Sequence, residues 1–171
     1  LPKAEQDLVS AVEISIDSGV PILARGGGTS QCGQTVNEAV VIDCSRYLNK
    51  ILDLNAEQKT IKVQPGLVLD HLNAFLKPHG LFFPVDISTA SRATIGGMTS
   101  NNSCGARSIH YGIMVDNVCA IDAFLPSGEH FEFGHTPNNL DQLTGGQGYE
   151  RIVRQVRKIA HRERTELENR F

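Results

Sequence analysis

Apolar residues along this chain fall into a few short runs and three stretches of helical spacing. Leu8, Val9, Val12 and Ile16 recur at helical intervals within residues 3–18, and Gly19 stands where such a helix would end. Val20-Pro21-Ile22-Leu23 and Val40-Val41-Ile42-Asp43 are short and apolar enough to predict buried strands. A hairpin is predicted next: residues 48–54 go out, Asn55-Ala56-Glu57-Gln58-Lys59 turns, and Thr60-Ile61-Lys62-Val63-Gln64 returns with inside–outside alternation. Pro65-Gly66 stops that strand. Val68, Leu69, Leu72, Phe75 and Leu76 then space as a helix ending near His79-Gly80. Residues 117–125 predict a strand, Pro126-Ser127-Gly128 its turn and residues 129–133 its partner. Residues 134–148 read as loop. Ile152, Val153, Val156, Ile159 and Ala160 predict one side of a charged helix within 149–171. Hairpins and helices in this order, without a βαβ series, predict an α+β fold.

Two stretches break the pattern. The first, Ala24-Arg25-Gly26-Gly27-Gly28-Thr29-Ser30-Gln31-Cys32-Gly33, follows a predicted strand and precedes another. Glycine lets a ligand approach the backbone, successive N–H groups in a turn make an anion-binding concavity, and Thr29 and Ser30 add donors. The run therefore reads as a phosphate or pyrophosphate loop, or as a tight turn in which glycine serves geometry alone. No lysine follows it as a P-loop requires, and Gln31 stands where a dinucleotide fingerprint needs glycine. The second stretch, residues 87–106, is almost entirely small or hydroxylated and carries Arg92 as its one charge. Its small residues and Gly96, Gly97 and Gly105 suit backbone pressed against a large polar ligand; the alternative is a serine-rich linker.

Composition narrows the classes. The chain has 171 residues, 40% hydrophobic and 20% charged, with a net charge of −3. Weak acidity without a basic tract argues against nucleic acid, and no apolar run is long enough for a membrane span. Cys32, Cys44, Cys104 and Cys119 lack a Cys-x-x-Cys pair and predict reduced, mostly buried thiols in a cytoplasmic protein, with no metal site. Leu1-Pro2-Lys3 and the close at Phe171 read as cuts within a longer chain, with no secretory leader.

Three separated motifs then coincide. Arg25-Gly-Gly-Gly-Thr-Ser30, Gln64-Pro65-Gly66, and Ser91-x-x-Thr94-Ile95-Gly96-Gly97 running to Asn102-x-x-Gly105 resemble the FAD-binding domain of the vanillyl-alcohol oxidase and p-cresol methylhydroxylase type. Within it, the chain is most similar to bacterial FAD-linked oxidases of the glycolate oxidase and D-lactate dehydrogenase group, over roughly residues 5–134. The resemblance implies a pyrophosphate held by Arg25, Gly26, Gly27, Gly28, Thr29 and Ser30, with Gln31 and Gln34 close by. It implies that Asp86, Ser91, Thr94, Gly96, Gly97, Asn102 and Gly105 serve the flavin side, with Arg92 and Arg107 divided between phosphate or substrate and the surface. Covalent members carry a histidine in the first glycine loop; Gly28 and Thr29 stand there, so noncovalent FAD is expected.

The same resemblance implies two lobes, 1–66 and 67–148, with residues 149–171 as a helix leading onward. The family's adenine-side start, its later returning motif and its capping domain are not seen, so an incomplete FAD domain is expected: inactive alone, weak toward FAD, and prone to self-association. The implied activity is oxidation of a small 2-hydroxy acid to a 2-oxo acid, with the electron acceptor and catalytic residues unassigned. Rivals are a flavin-dependent reductase of an enolpyruvyl nucleotide sugar and a noncatalytic nucleotide- or phosphate-binding module. All six histidines, His135 and His161 among them, are candidates for proton chemistry or metal; exposed structural roles are expected for His71, His79 and His130, and His110 and Tyr111, beside the second motif, stand nearest the flavin in sequence. No histidine supports Ser30 or Ser103 as a nucleophile.

Overall fold

Helix α1, Glu5–Asp17, begins where Asp7 turns back on the preceding chain, its Oδ2 accepting the N–H groups of Lys3 (2.8 Å) and Ala4 (3.0 Å). Those two donors favour the carboxylate and hold Asp7 below its ordinary pKa. The buried face of α1 consists of Leu8, Ala11, Val12 and Ser15, packed toward Ile22, Ile42, Cys44 and Leu48. Ile16, expected on that face, is 42% exposed. The i, i+3, i+4, i+7 set includes an alanine and a serine that an apolar pattern skips. Ser15 is satisfied locally, its Oγ donating to the Ala11 carbonyl at 2.7 Å.

The computed structural model describes residues 1–171 and divides into two units, Leu1–Val118 and Cys119–Phe171. In the first unit β1 (Ile22–Arg25) and β2 (Val40–Asp43) pair in parallel, Ile22 opposite Val40 and Arg25 opposite Asp43. Residues 26–39 connect them without a helix. Both strands were expected to be buried, yet Val40 and Val41 are each 39% exposed and only Ile42 is fully enclosed. A two-stranded ribbon has two edges, and α1 covers only part of it.

Strands β3 (Ile51–Asn55) and β4 (Thr60–Val63) form the antiparallel hairpin, with an irregular register between Ile51 and Asp53. Helix α2 (Leu69–Leu76) lies against it: Leu72 and Leu76 meet Ile51, Leu54, Ile61 and Val63. Its first residue, Leu69, enters a second cluster with Val85, Ala93, Met98 and Met114. Thus α2 ties the hairpin to the chain beyond residue 66, and the first unit runs on to Val118. Enclosing a side chain of this size stabilises by about 1.5–3 kcal/mol.

Residues 87–106 are not loop throughout. Helix α3 (Ile95–Ser100) sits inside them, followed by the single turns α4 (Ser108–Tyr111) and α5 (Met114–Asn117). Asn117 was expected in a strand; it closes α5, and its Nδ2 donates to the carbonyls of Tyr111 (3.0 Å) and Ile113 (2.9 Å).

The second unit therefore starts its hairpin later, with β5 (Ile121–Phe124) antiparallel to β6 (His130–Phe133). Helix α6 (Gly146–Arg162) begins within the predicted loop and breaks at Glu163 before α7 (Arg164–Arg170). Tyr149 is buried with its ring 6.1 Å from that of Phe131 and 5.6 Å from that of Phe133. All four cysteines are free, but only Cys44 is buried; Cys32, Cys104 and Cys119 lie on turns and loops that no layer covers. No helix is long and apolar enough to cross a membrane.

Candidate cofactor site

At the end of β1 the chain bends through Gly26 and Gly27, and Gly28 takes a φ of 64°. None of the N–H groups of Gly26, Gly27, Gly28, Thr29 or Ser30 donates to a protein acceptor. Four of these residues are half-buried, so a row of amide donors is partly shielded from water with no partner in the chain. The arginine before them folds over the bend: a Cβ on Gly28 would stand 2.8 Å from Arg25 Nη2 and 3.1 Å from its Nε. A cation therefore lies beside the unpaired amides, an arrangement suited to a multiply charged phosphate.

The hydrogen side of Gly26 and Gly27 does something the sequence did not reveal. A Cβ on Gly26 would collide with Thr94 Oγ1 and lie 3.3 Å from Thr94 Cβ. One on Gly27 would run into the Arg92 carbonyl oxygen and lie 3.4 Å from Ala93 Cα. These glycines are required because residues 92–94 occupy their side-chain space, which leaves the amide row as the surface available to a ligand.

The third motif is joined in the same way. Gly96 donates its N–H to the Pro65 carbonyl at 2.8 Å, and a Cβ on it would stand 2.6 Å from Pro65 Cβ. Gly66 presses its α-carbon on the Cys44 carbonyl and donates to the Leu48 carbonyl at 2.7 Å. Ile95 N–H reaches the Leu67 carbonyl at 2.8 Å, and Val68 bridges to Thr94. Segments distant in the chain thus meet through backbone contacts.

Several side chains expected to face the flavin are engaged within the protein. Thr94 is 1% exposed, and its Oγ1 accepts the Gly97 N–H at 3.3 Å, capping α3. Asn102, in the left-handed region at φ 47°, accepts the Val115 N–H at 3.0 Å through Oδ1. Asp86 Oδ1 accepts the Arg107 N–H at 2.8 Å, and the Asp86 backbone lies against Gly105 so closely that no Cβ fits. Ser91 and Gly97 are exposed, as are Gln31 and Gln34 beyond the glycine bend. Arg92 is exposed; Arg107 Nε stands 3.8 Å from Asp86 Oδ2. The Thr94 cap was legible as threonine three residues before Gly97, whereas the Asp86–Arg107 tie left no signal in the spacing.

The six histidines are all exposed. His110 packs edge-on to Tyr111 at 4.5 Å, and Tyr111 edge-on to Phe82 at 5.6 Å. His130 stacks on Phe124 and faces Asp122 at 3.4 Å. No three His, Cys, Asp or Glu side chains are grouped to hold a metal.

A shielded row of free amides, an arginine over it and a second backbone segment locked against it fit the pyrophosphate half of a dinucleotide. Comparison with known proteins shows the family. A family model described as FAD binding domain matches residues 1–134. The chain is 38% identical over 152 residues to D-2-hydroxyglutarate dehydrogenase of Pantoea ananatis, covering 85% of this chain and 15% of that protein. It is 34% identical over 135 residues to glycolate oxidase subunit GlcD of Bacillus subtilis, covering 78% of this chain and 28% of that subunit. Among solved structures, alkyldihydroxyacetonephosphate synthase superposes with a TM-score of 0.69 at 24% identity, covering 88% of this chain and 29% of that one. The chain thus spans less than a third of the length of these relatives. With the motif segments meeting in one α+β unit and the family match running over them, this chain belongs to the FAD binding domain family.

Proposed function

We propose that the chain is the FAD-binding part of a flavin-dependent oxidoreductase that converts a small 2-hydroxy acid to the 2-oxo acid. The observation that carries this reading is the contact of Gly26 and Gly27 with residues 92–94 beneath a row of unpaired amides. The relatives named for D-2-hydroxyglutarate and glycolate oxidation supply the substrate class. Bound FAD would accept a hydride from the substrate carbon while the hydroxyl proton leaves to a base or to solvent; the redox chemistry belongs to the cofactor.

The chain's residues bind and orient. The amides of Gly26, Gly27, Gly28, Thr29 and Ser30, with the Arg25 guanidinium, hold the pyrophosphate, and Gln31 and Gln34 flank its outer edge. Ser91, Thr94, Gly96, Gly97, Asn102 and Gly105 form the segment bordering the flavin, mainly through backbone. No histidine stands in this loop, where Gly28 and Thr29 occupy its place, in keeping with noncovalent FAD. Arg92, exposed on the same segment, is a candidate for the acid's carboxylate. Unpaired thiols favour a cytoplasmic setting.

FAD titration followed by flavin fluorescence tests the reading. Immobilising so long a ligand is offset only when most of its surface is enclosed, so a Kd above about 1 µM is expected. Gly27→Asp should abolish it. No change in fluorescence up to about 1 mM FAD would refute cofactor binding by this chain. Binding of inorganic pyrophosphate seen by calorimetry, with no flavin response, would favour a phosphate-binding module instead.

A further inference from the structure

We propose that Asp86 is a positioning residue: by accepting the Arg107 N–H it closes residues 87–105 into one loop and holds the flavin-side segment in register, without touching the cofactor. This rests on the flavin reading for its consequence, although the closure itself is a property of the chain alone. Asp86 follows Val85, which is fully buried among Leu69, Ala93, Met98 and Met114. The carboxylate is thus carried by an anchored backbone. From there Oδ1 meets Arg107 N–H at 2.8 Å, and the Asp86 carbonyl fills the space beside Gly105. Gly105 and Ser108 complete the turn, N–H of each reaching the other's Oγ or carbonyl at 3.0 Å.

Between the two ends of this closed loop stand Ala93, Thr94 and α3, the parts that lock against the glycine bend. An aspartate aimed at a pyrophosphate would repel it, whereas one that accepts a backbone N–H fixes a turn. The Arg107 guanidinium adds little: its side chain is 61% exposed and 3.8 Å from Oδ2. The working contact is therefore carboxyl to backbone amide. Opening it frees the loop, and its ends must then find each other without a tie.

Hydrogen exchange of the chain without FAD tests the closure, read at Asn102, Ser103 and Ser108, whose N–H groups all donate inside this region. Asp86→Ala should speed exchange there by about tenfold or more, the scale of losing one hydrogen bond to a charged acceptor. Asp86→Asn keeps an acceptor oxygen and should restore protection. Arg107→Pro, at a residue whose φ of −79° admits proline, deletes the donor and should match Asp86→Ala; Arg107→Ala should match the parent. FAD affinity should follow the same order. Asn behaving like Ala, or Arg107→Ala behaving like Arg107→Pro, would overturn the proposal, since charge and not the amide contact would then matter. Loss of protection in β3 and β4 as well, for both Asp86→Ala and Arg107→Pro, would also overturn it by showing general unfolding. If the parent binds no FAD while exchange follows the predicted order, the closure stands and the flavin reading fails.

Discussion

Cys44 shows how one residue's surroundings set its chemistry. It sits after β2 in the cluster beneath α1, with Gly66 against its carbonyl and the Leu48 N–H donating to that carbonyl at 3.2 Å. Burial, and then the neighbouring Asp43 carboxylate, push its thiol above the ordinary cysteine value. Thiolate is the reactive form, so a raised pKa and enclosure both slow alkylation. Iodoacetamide at neutral pH is expected to label Cys32, Cys104 and Cys119 first and Cys44 last, as mass spectrometry of the native chain would show. Labelling should reach Cys44 only as pH rises or the chain unfolds. Prompt labelling of Cys44 at neutral pH would contradict the packing of α1 on β2. Four cysteines without a metal spacing were legible as free thiols; which one was buried depended on α1 lying over this strand.

Among elements, the glycine bend and the segment before α3 behave as a pair of interlocking pieces. Gly26 has no room for a methyl group because Thr94 Oγ1 and Cβ stand there. Gly26→Ala should therefore destabilise by about 1–3 kcal/mol, the usual cost of overpacking, and reduce any FAD affinity. Thr94→Ala loses the α3 cap at about 1 kcal/mol, but it also removes the oxygen that obstructs the new methyl. The double variant should be more stable than the sum of the two single losses predicts, a positive coupling readable by urea denaturation. Strict additivity would show that the two segments do not press on one another. Neither element announces this contact, because each glycine is equally consistent in sequence with a turn or with a ligand.

At the scale of the whole chain, apolar surface remains uncovered. Val36 is 76% exposed, Val115 66%, Val156 61% and Ile109 fully so. An open groove of about 370 Å³ runs along α6 past Phe133, Tyr149, Ile152, Val153 and Val156. Patches of this kind favour association. Sedimentation velocity over about a hundredfold range of concentration is expected to show a rising mean mass, as mass action demands of weak self-association. A constant monomer would remove that expectation. The same openness bears on activity: relatives named for hydroxy-acid oxidation are more than three times the length this chain covers in them. Even with FAD added, D-lactate, glycolate and D-2-hydroxyglutarate should not reduce an artificial electron acceptor. Turnover of any of them would show that the residues needed for chemistry are already here.

What the amino-acid sequence determined by itself was local. Alternation marked β4 to within a residue, and alternation and helical spacing placed β3 and α2 with ends a few residues off, because each buries one face and side-chain periodicity records which one. Glycine clusters and hydroxyl residues marked the segments of the cofactor site, since few other residues permit such backbone. Tertiary structure decided the rest. It turned α1 onto Ala11 and Ser15 in place of Ile16, left β2 half-exposed, and used Asn117 to close α5 where a strand was expected. It also gave Gly26, Gly27, Gly96 and Gly105 their partners in Thr94, Arg92, Pro65 and Asp86. A missing side chain leaves its reason in whatever fills the space, and that neighbour is distant in the chain. The sequence could say where the backbone must be bare, and only packing could say against what.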